Sequence, residues 1–257
     1  MIETFDFGDG KGPVPAHRHQ NPGGWFGGWV ANTAKVADSV YLGPDAKVYG
    51  HAVVSSLVQI QENAQVFGTA RIGGAAILED HVKVFGSASI SGSSRVGGYV
   101  QISGCASLSD SSTVDGHAQI SGDVLLLGNA RVSGEAQVSG STVLSFNTFV
   151  TDTARIHLPG TITIAGLTIG NNALVVVPED LVFGRHPKGM WCVYRCSDGT
   201  VGASREKDVP FAFLKLMEGF LSGVPHPSED VGRVKEALLK HPTMVEELLP
   251  QLFLRIC

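Results

Sequence analysis

The chain has 257 residues, 43% of them hydrophobic and only 17% charged, with a net charge of −5 and 32 glycines. Charge that sparse, with almost twice the usual ~7% share of glycine, excludes a disordered chain and argues against an ordinary helical enzyme. The acidic balance gives no basic footprint for nucleic acid, and no run of 18 apolar residues exists to span a membrane.

The opening MIETFDFGDG is acidic where a secretory leader is basic and then apolar. Cys105, Cys192, Cys196 and Cys257 are too few for a disulfide framework in a chain of this length. Both features lead to the expectation of a cytoplasmic protein with reduced thiols. Residues 1–29 are dense in Gly and Pro and show no period. They are expected to close the end of whatever follows, with Trp25, Phe26 and Trp29 as the cover. His17 and His19 stand two apart and so share a face of an extended segment. They lack a second ligand pair at zinc-site spacing, so no metal is expected.

From Val30 every sixth residue is Val, Ile or Leu through Ile156, an unbroken run of 22 hexads, with Ile162 extending it by one. Four residues after the aliphatic position stands Ala in 12 hexads and Val in five. Two residues after it stands Gly, Asn or Asp in 17. A short strand that points one large and one small side chain into a narrow interior, then turns a corner through positive φ, requires that pattern. A longer period, three hexads in length, overlies it. Tyr49, Phe67 and Phe85 fall in one series that Ser103, Ser121 and Ser139 continue. Lys47, Gln65, Lys83, Gln101, Gln119, Gln137 and Arg155 form another. Like residues stacked at the ~4.8 Å strand spacing favour such ladders. Three hexads therefore make one triangular coil, and the run supplies about seven coils.

Two candidate surfaces follow from the coil. Asn63, His81, Tyr99, His117 and Glu135 align along one corner, with Glu79 and Asp115 beside them. This is a candidate polar-ligand or acid–base strip, with the two histidines roughly 10 Å apart across Tyr99. The ladder Tyr49, Phe67, Phe85, with Val53 and Leu125 on the same face, is an apolar stripe expected to need a cover: a subunit interface or the C-terminal helices.

After Ile162 the hexad lapses. Residues 185–257 carry ten Arg and Lys and nine Asp and Glu, a balance of +1. Trp191–Arg195 and Thr200–Ala203 predict a hairpin around Ser197-Asp198-Gly199. Pro210–Leu221 predicts a buried helix, Ser228 caps a second to His241, and Pro242 starts a third. Cys192 and Cys196, with His186 nearby, lack a fourth zinc ligand and are read as buried free thiols. The organisation expected is a cap over 1–29, a β-helix over 30–184 and a C-terminal module over 185–257.

The hexads resemble those of the hexapeptide-repeat superfamily. The segment Gly8-Asp9-Gly10-Lys11-Gly12-Pro13-Val14-Pro15-Ala16-His17-Arg18-His19 resembles the opening of phage and prophage members of that group. The resemblance implies a mainly β chain, a left-handed parallel β-helix shaped as a triangular prism, with a small α+β or helical C-terminal module. It also implies a homotrimer and, for many members, acyl transfer from acyl-CoA or acyl carrier protein with a histidine base. His51, His81 and His117 are the eligible bases. Yet the coils carry no inserted loop to shape a pocket. The leading expectation is therefore a non-catalytic, trimeric, phage-encoded binding or scaffold protein in the host cytoplasm. It would act on a host protein stoichiometrically, through the C-terminal module or the prism face, without a cofactor. The alternative is an acyl-CoA-dependent acyltransferase.

Overall fold

The structure, a computed structural model, describes residues 3–176, 180–186, 189–198, 200–205, 210, 215, 218, 221 and 222, with backbone alone at 159–162, 182–186 and 189–190. Two compact units divide the chain, Met1–Asn171 and Asn172–Cys257.

The first unit is a parallel β-helix built from two-residue strands. Each strand pairs in parallel with the one three hexads on, as in Lys83–Val84 with Gln101–Ile102 and Arg71–Ile72 with Ser89–Ile90. Three faces result. The first carries Val30, Val48, Val66, Val84, Ile102, Ile120, Val138 and Ile156; the second carries Val36, Val54, Ile72, Ile90, Leu108, Leu126, Leu144 and Ile164. The third is an eight-stranded sheet from Tyr41–Leu42 to Thr168–Ile169. Rungs of this kind fit the left-handed β-helix expected from the hexads.

The interior follows the sequence rule. Val84, Ile102 and Ile120, and the small residues Ala88, Ala106 and Ala118, are at most 1% exposed. Where Ser94 and Ser112 replace alanine inside, their hydroxyls bond to each other at 3.0 Å, and Ser94 Oγ donates to the Ser91 carbonyl at 2.7 Å. These two buried hydroxyls thus stay satisfied. From Val48 to Val150 the corners turn through positive φ two residues after each aliphatic, as at Gly68, Gly86, Gly104 and Asp110. Phe146 adopts φ 56° at one such corner while 71% exposed, a conformation that costs a residue with a Cβ ~1–2 kcal/mol.

The end of the run differs from the hexad count. Leu144 pairs with Ile164, and Ile162 pairs with Thr142, after an irregularity between Gly140 and Thr142. Two extra residues are absorbed as a bulge, so Leu158, fully buried, fills the interior before Ile164 resumes the register. The third face reaches eight rungs, against the seven expected, because dyads continue past this bulge.

The N-terminal residues do close the first coil, but not as expected. Trp25 and Phe26 are 66% and 68% exposed and cover nothing. Instead Val14–Gln20 runs antiparallel to Phe26–Ala31, which itself pairs in parallel with Lys47–Val48. Side chains then satisfy the open edge of the third face. Asn21 brackets Leu42, its Nδ2 donating to the carbonyl at 3.0 Å and its Oδ1 accepting the N–H at 2.7 Å. His19 Nε2 donates to the Val40 carbonyl at 2.9 Å, and Arg18 to that of Pro44 at 2.8 Å. An otherwise unpaired sheet edge is closed this way. A register shift between Arg18 and Gln20 buries His19 while His17 stays exposed against Asn32, so the two histidines do not face one way.

In the second unit, Leu181–His186, Gly189–Arg195 and Val201–Arg205 form an antiparallel sheet that contains the expected hairpin. Asp180, 1% exposed, pairs with Arg195 at 3.3 Å. Lys215, Glu218 and Leu221, within the span predicted for a helix, and Ser222, one residue beyond it, are helical. The helices expected after Ser228 and Pro242 lie outside the described residues. No helix among the described residues is long and apolar enough to cross a membrane.

Candidate ligand-binding corner

The corner between the third and first faces carries the predicted strip. Asn63, His81, Tyr99, His117 and Glu135 are all exposed there. Parallel pairing of successive coils stacks their side chains. The His81 and Tyr99 rings lie 4.6 Å apart at 12°, and those of Tyr99 and His117 5.0 Å apart at 3°. Tyr99 has an imidazole on each face, and the stack offers ring edges to solvent: imidazole nitrogens and a phenol hydroxyl. Glu79 and Asp115 do not join it. Asp115 is tied to Arg131 at 2.6 Å, and Glu79 lies against Gly97, where an added Cβ would meet its Cγ at 3.2 Å.

Below Tyr99 the corner opens into a groove of about 300 Å³ lined by His117, Gln119, Glu135, Gln137, Thr153 and Arg155. It gathers an imidazole, a carboxylate, a guanidinium, two carboxamides and a hydroxyl. Of the residues singled out from sequence, His117 and Glu135 meet there, while His81 and Tyr99 belong to the stack above. Gln119, Gln137 and Arg155 were visible only as a stacking ladder. Thr153 stands one coil after Glu135 and was recoverable by the same spacing.

His51 is exposed on the corner between the first and second faces, so the three eligible bases do not converge. On the first face the serine ladder ends in an unforeseen pair, Ser139 Oγ and His157 Nδ1 at 2.8 Å. A second depression, about 580 Å³, is lined by Ser39, Tyr41, Leu57, Val58, Gln59 and Gln61 and holds no carboxylate, imidazole or cation.

The aromatic ladder is real and has a cover inside the chain. Tyr49, Phe67 and Phe85 stack at 4.8 and 5.0 Å, and Phe7 stacks on Tyr49 at 4.8 Å. Phe5 continues the cluster onto Trp29 at 4.5 Å. Tyr49 is thereby buried, while Phe67 and Phe85 stay half-buried. Val53 and Leu125, expected on the same face, instead stand in rungs of the second face, beside Arg71 and Ser107, because the chain turns a corner at Gly50 and Gly122 between them and the first face. Burial, and secondarily the Asp9 carboxylate, pushes the Tyr49 phenol from 10.0 up to about 12. The unfolded chain then ionises first on raising the pH, and binds fewer protons than the folded one. Stability from this site is complete below pH 10 and is expected to fall as pH rises from about 10 to about 12. Urea melts across that range should show the decline, and Phe7→Ala, which strips the lid, should flatten it.

Cys192 is fully buried, which pushes its thiol up to about 12, and burial also raises that of Cys196. Among the described residues no three His, Cys, Asp or Glu side chains gather to hold a metal ion. The side chain of His186 lies outside them.

No protein-family model matches the chain, and no curated protein matches its sequence. Among solved structures it is similar to LpxA from Acinetobacter baumannii, at 14% identity over 56% of this chain and 71% of that one, with a TM-score of 0.27.

Proposed function

We propose that this protein acts by binding, without turnover, and that it holds a polar ligand at the corner of His81, Tyr99, His117 and Glu135. The groove below Tyr99 carries this reading: six polar side chains converge in a space large enough for a small ligand. A tight protein partner wants a broad contact with an apolar centre, which this corner lacks. The fuller form, a phage-encoded trimer directed at a host protein, rests on the resemblance of residues 8–19 and of the hexads. In a trimer the half-buried Phe67 and Phe85 on the first face are the residues that would meet a neighbour.

One observation favours a second reading, acyl transfer from acyl-CoA. His117 lines the same groove as Glu135 and Arg155, so a base, a carboxylate near it and a cation for an anionic carrier stand together.

A single experiment separates the two. The full chain is screened by thermal shift and NMR against polar metabolites and acyl-CoAs, and each hit is repeated with His117→Ala and Glu135→Gln. Binding is expected to weaken in steps in both variants, with no product formed. Acyl-CoA consumption that His117→Ala alone abolishes, by orders of magnitude and without a change in melting, would establish the enzyme instead.

A further inference from the structure

We infer that the open half of the first face, continuous with the groove, is a binding track for a neutral, extended polysaccharide lying along the prism axis. The inference rests on the reading of the corner as a binding site and names the ligand class.

The track begins where the chain's own cover ends. Phe7 and Phe5 occupy the first face above Tyr49 and Trp29, and the aromatic ladder stops at Phe85. Beyond it, successive rungs present Gln101 with Ser103, Gln119 with Ser121, Gln137 with Ser139, and finally Arg155 with His157. Parallel pairing sets Gln101, Gln119, Gln137 and Arg155 in one column, and Ser139 beside His157 in the next. All are exposed or half-buried. The two columns stand ~6.6 Å apart along the strand and repeat every ~4.8 Å across the rungs. Tyr99, His117 and Glu135 border it along the corner with the third face, and the ring spacing of 4.6 to 5.0 Å in the stack reports the same pitch.

Chemistry narrows the occupant. Three consecutive rungs carry only carboxamides and hydroxyls, groups that both donate and accept, as sugar hydroxyls do. The one carboxylate, Glu135, and the one guanidinium, Arg155, line the same groove and balance in charge. A polyanion would need several phosphate- or carboxylate-neutralising cations, and the track supplies one. A neutral polymer is the complementary ligand. Repetition narrows it further. An identical pair of groups at three successive rungs serves a ligand that repeats at the same pitch, and a 1,4-linked pyranose chain advances by close to one strand spacing per sugar. The mixed groove would then receive the chain at its charged end, where Glu135 can accept from two hydroxyls and Arg155 can donate.

The test uses the full chain and calorimetry with maltose-, cellobiose- and chitobiose-series oligosaccharides, from single sugars to hexamers, and oligogalacturonate of matched length. One neutral series is expected to gain affinity with each added sugar and to level off near the length of the track. Gln119→Ala with Gln137→Ala should cost that series at least about tenfold and flatten its length dependence. Gln119→Asn, which keeps the amide but withdraws it, should lose less. Thr113→Ala, on the third face, should lose nothing. Melting curves confirm that each variant folds. Absence of binding in every neutral series, affinity independent of length, or tighter binding of oligogalacturonate would overturn the inference. If all oligosaccharides fail while a small metabolite binds and is lost in His117→Ala, the ligand class falls and the binding corner stands. If oligosaccharides bind but neither His117→Ala nor Gln119→Ala weakens them, the corner itself is the wrong site.

Discussion

An Ile102→Asp chain is expected to lose most of its stability. Ile102 is fully buried, with Val84 paired above it and Ile120 below, and Ala106 close by as the small partner of its hexad. The interior of the prism is filled by one large and one smaller side chain per hexad, and the residues buried there along the coils are apolar, Ser or Thr, with no counter-charge among them. A carboxylate there is either ionised without a partner or neutral at the cost of a strongly raised pKa, and either state costs several kcal/mol. A whole domain is worth only ~5–15 kcal/mol, so one such change suffices to unfold the coils or to open them locally. Ile102→Val, which removes one methylene and adds no charge, should cost only ~0.5–1.5 kcal/mol. Thermal melts followed by far-UV circular dichroism compare the three chains. An Ile102→Asp variant that melts with the parent would mean that the sixth-residue series does not point inward.

That series was legible because the fold repeats one local rule. Each hexad states its large position, its small position and its corner, and the three-hexad period stacks them without long-range information. The same period made the His81, Tyr99, His117 stack readable, and it also separates His51, which stands one coil after Thr33 on another corner. What escaped the sequence depends on contacts outside the period. Phe7 reaches Tyr49 only because residues 14–20 fold back antiparallel, and nothing in a Gly- and Pro-rich segment specifies that register. The shift that separates His17 from His19 is of the same kind. The bulge after Leu158 escaped because Ile162 satisfies the count while its neighbours do not: Leu158 stands where the hexad expects a corner, and Gly160 stands where it expects a small inward side chain. The groove escaped because it is relief, made by side chains of unequal length on adjacent columns, and a periodic string of residue types carries no depth.

Where the antiparallel segment meets the first coil, a single methyl group is expected to be costly. A Cβ on Gly28 would stand 2.0 Å from the Ala46 carbonyl oxygen and 2.7 Å from that of Gly43. Both are backbone atoms, and they cannot retreat freely. The Ala46 carbonyl accepts the Trp29 N–H at 3.1 Å, and Trp29 and Val30 are paired with Lys47 and Val48. Gly28→Ala must therefore break that junction or push the first coil away from the strand above it. Overpacking of this kind costs about 1–3 kcal/mol, and the upper end applies because the obstacle is backbone and not a flexible side chain. For a chain of this size each kcal/mol lowers the melting temperature by ~2–4 °C, so a fall of roughly 5–10 °C is expected. Gly10→Ala supplies the comparison. Gly10 has φ 79° with nothing within 4 Å of an added Cβ, so its substitution carries only the backbone strain of the left-handed region. If the two variants melt together, the close approach at Gly28 does not hold the junction; if Gly28→Ala falls well below Gly10→Ala, the first coil is locked to the N-terminal strand at that carbonyl.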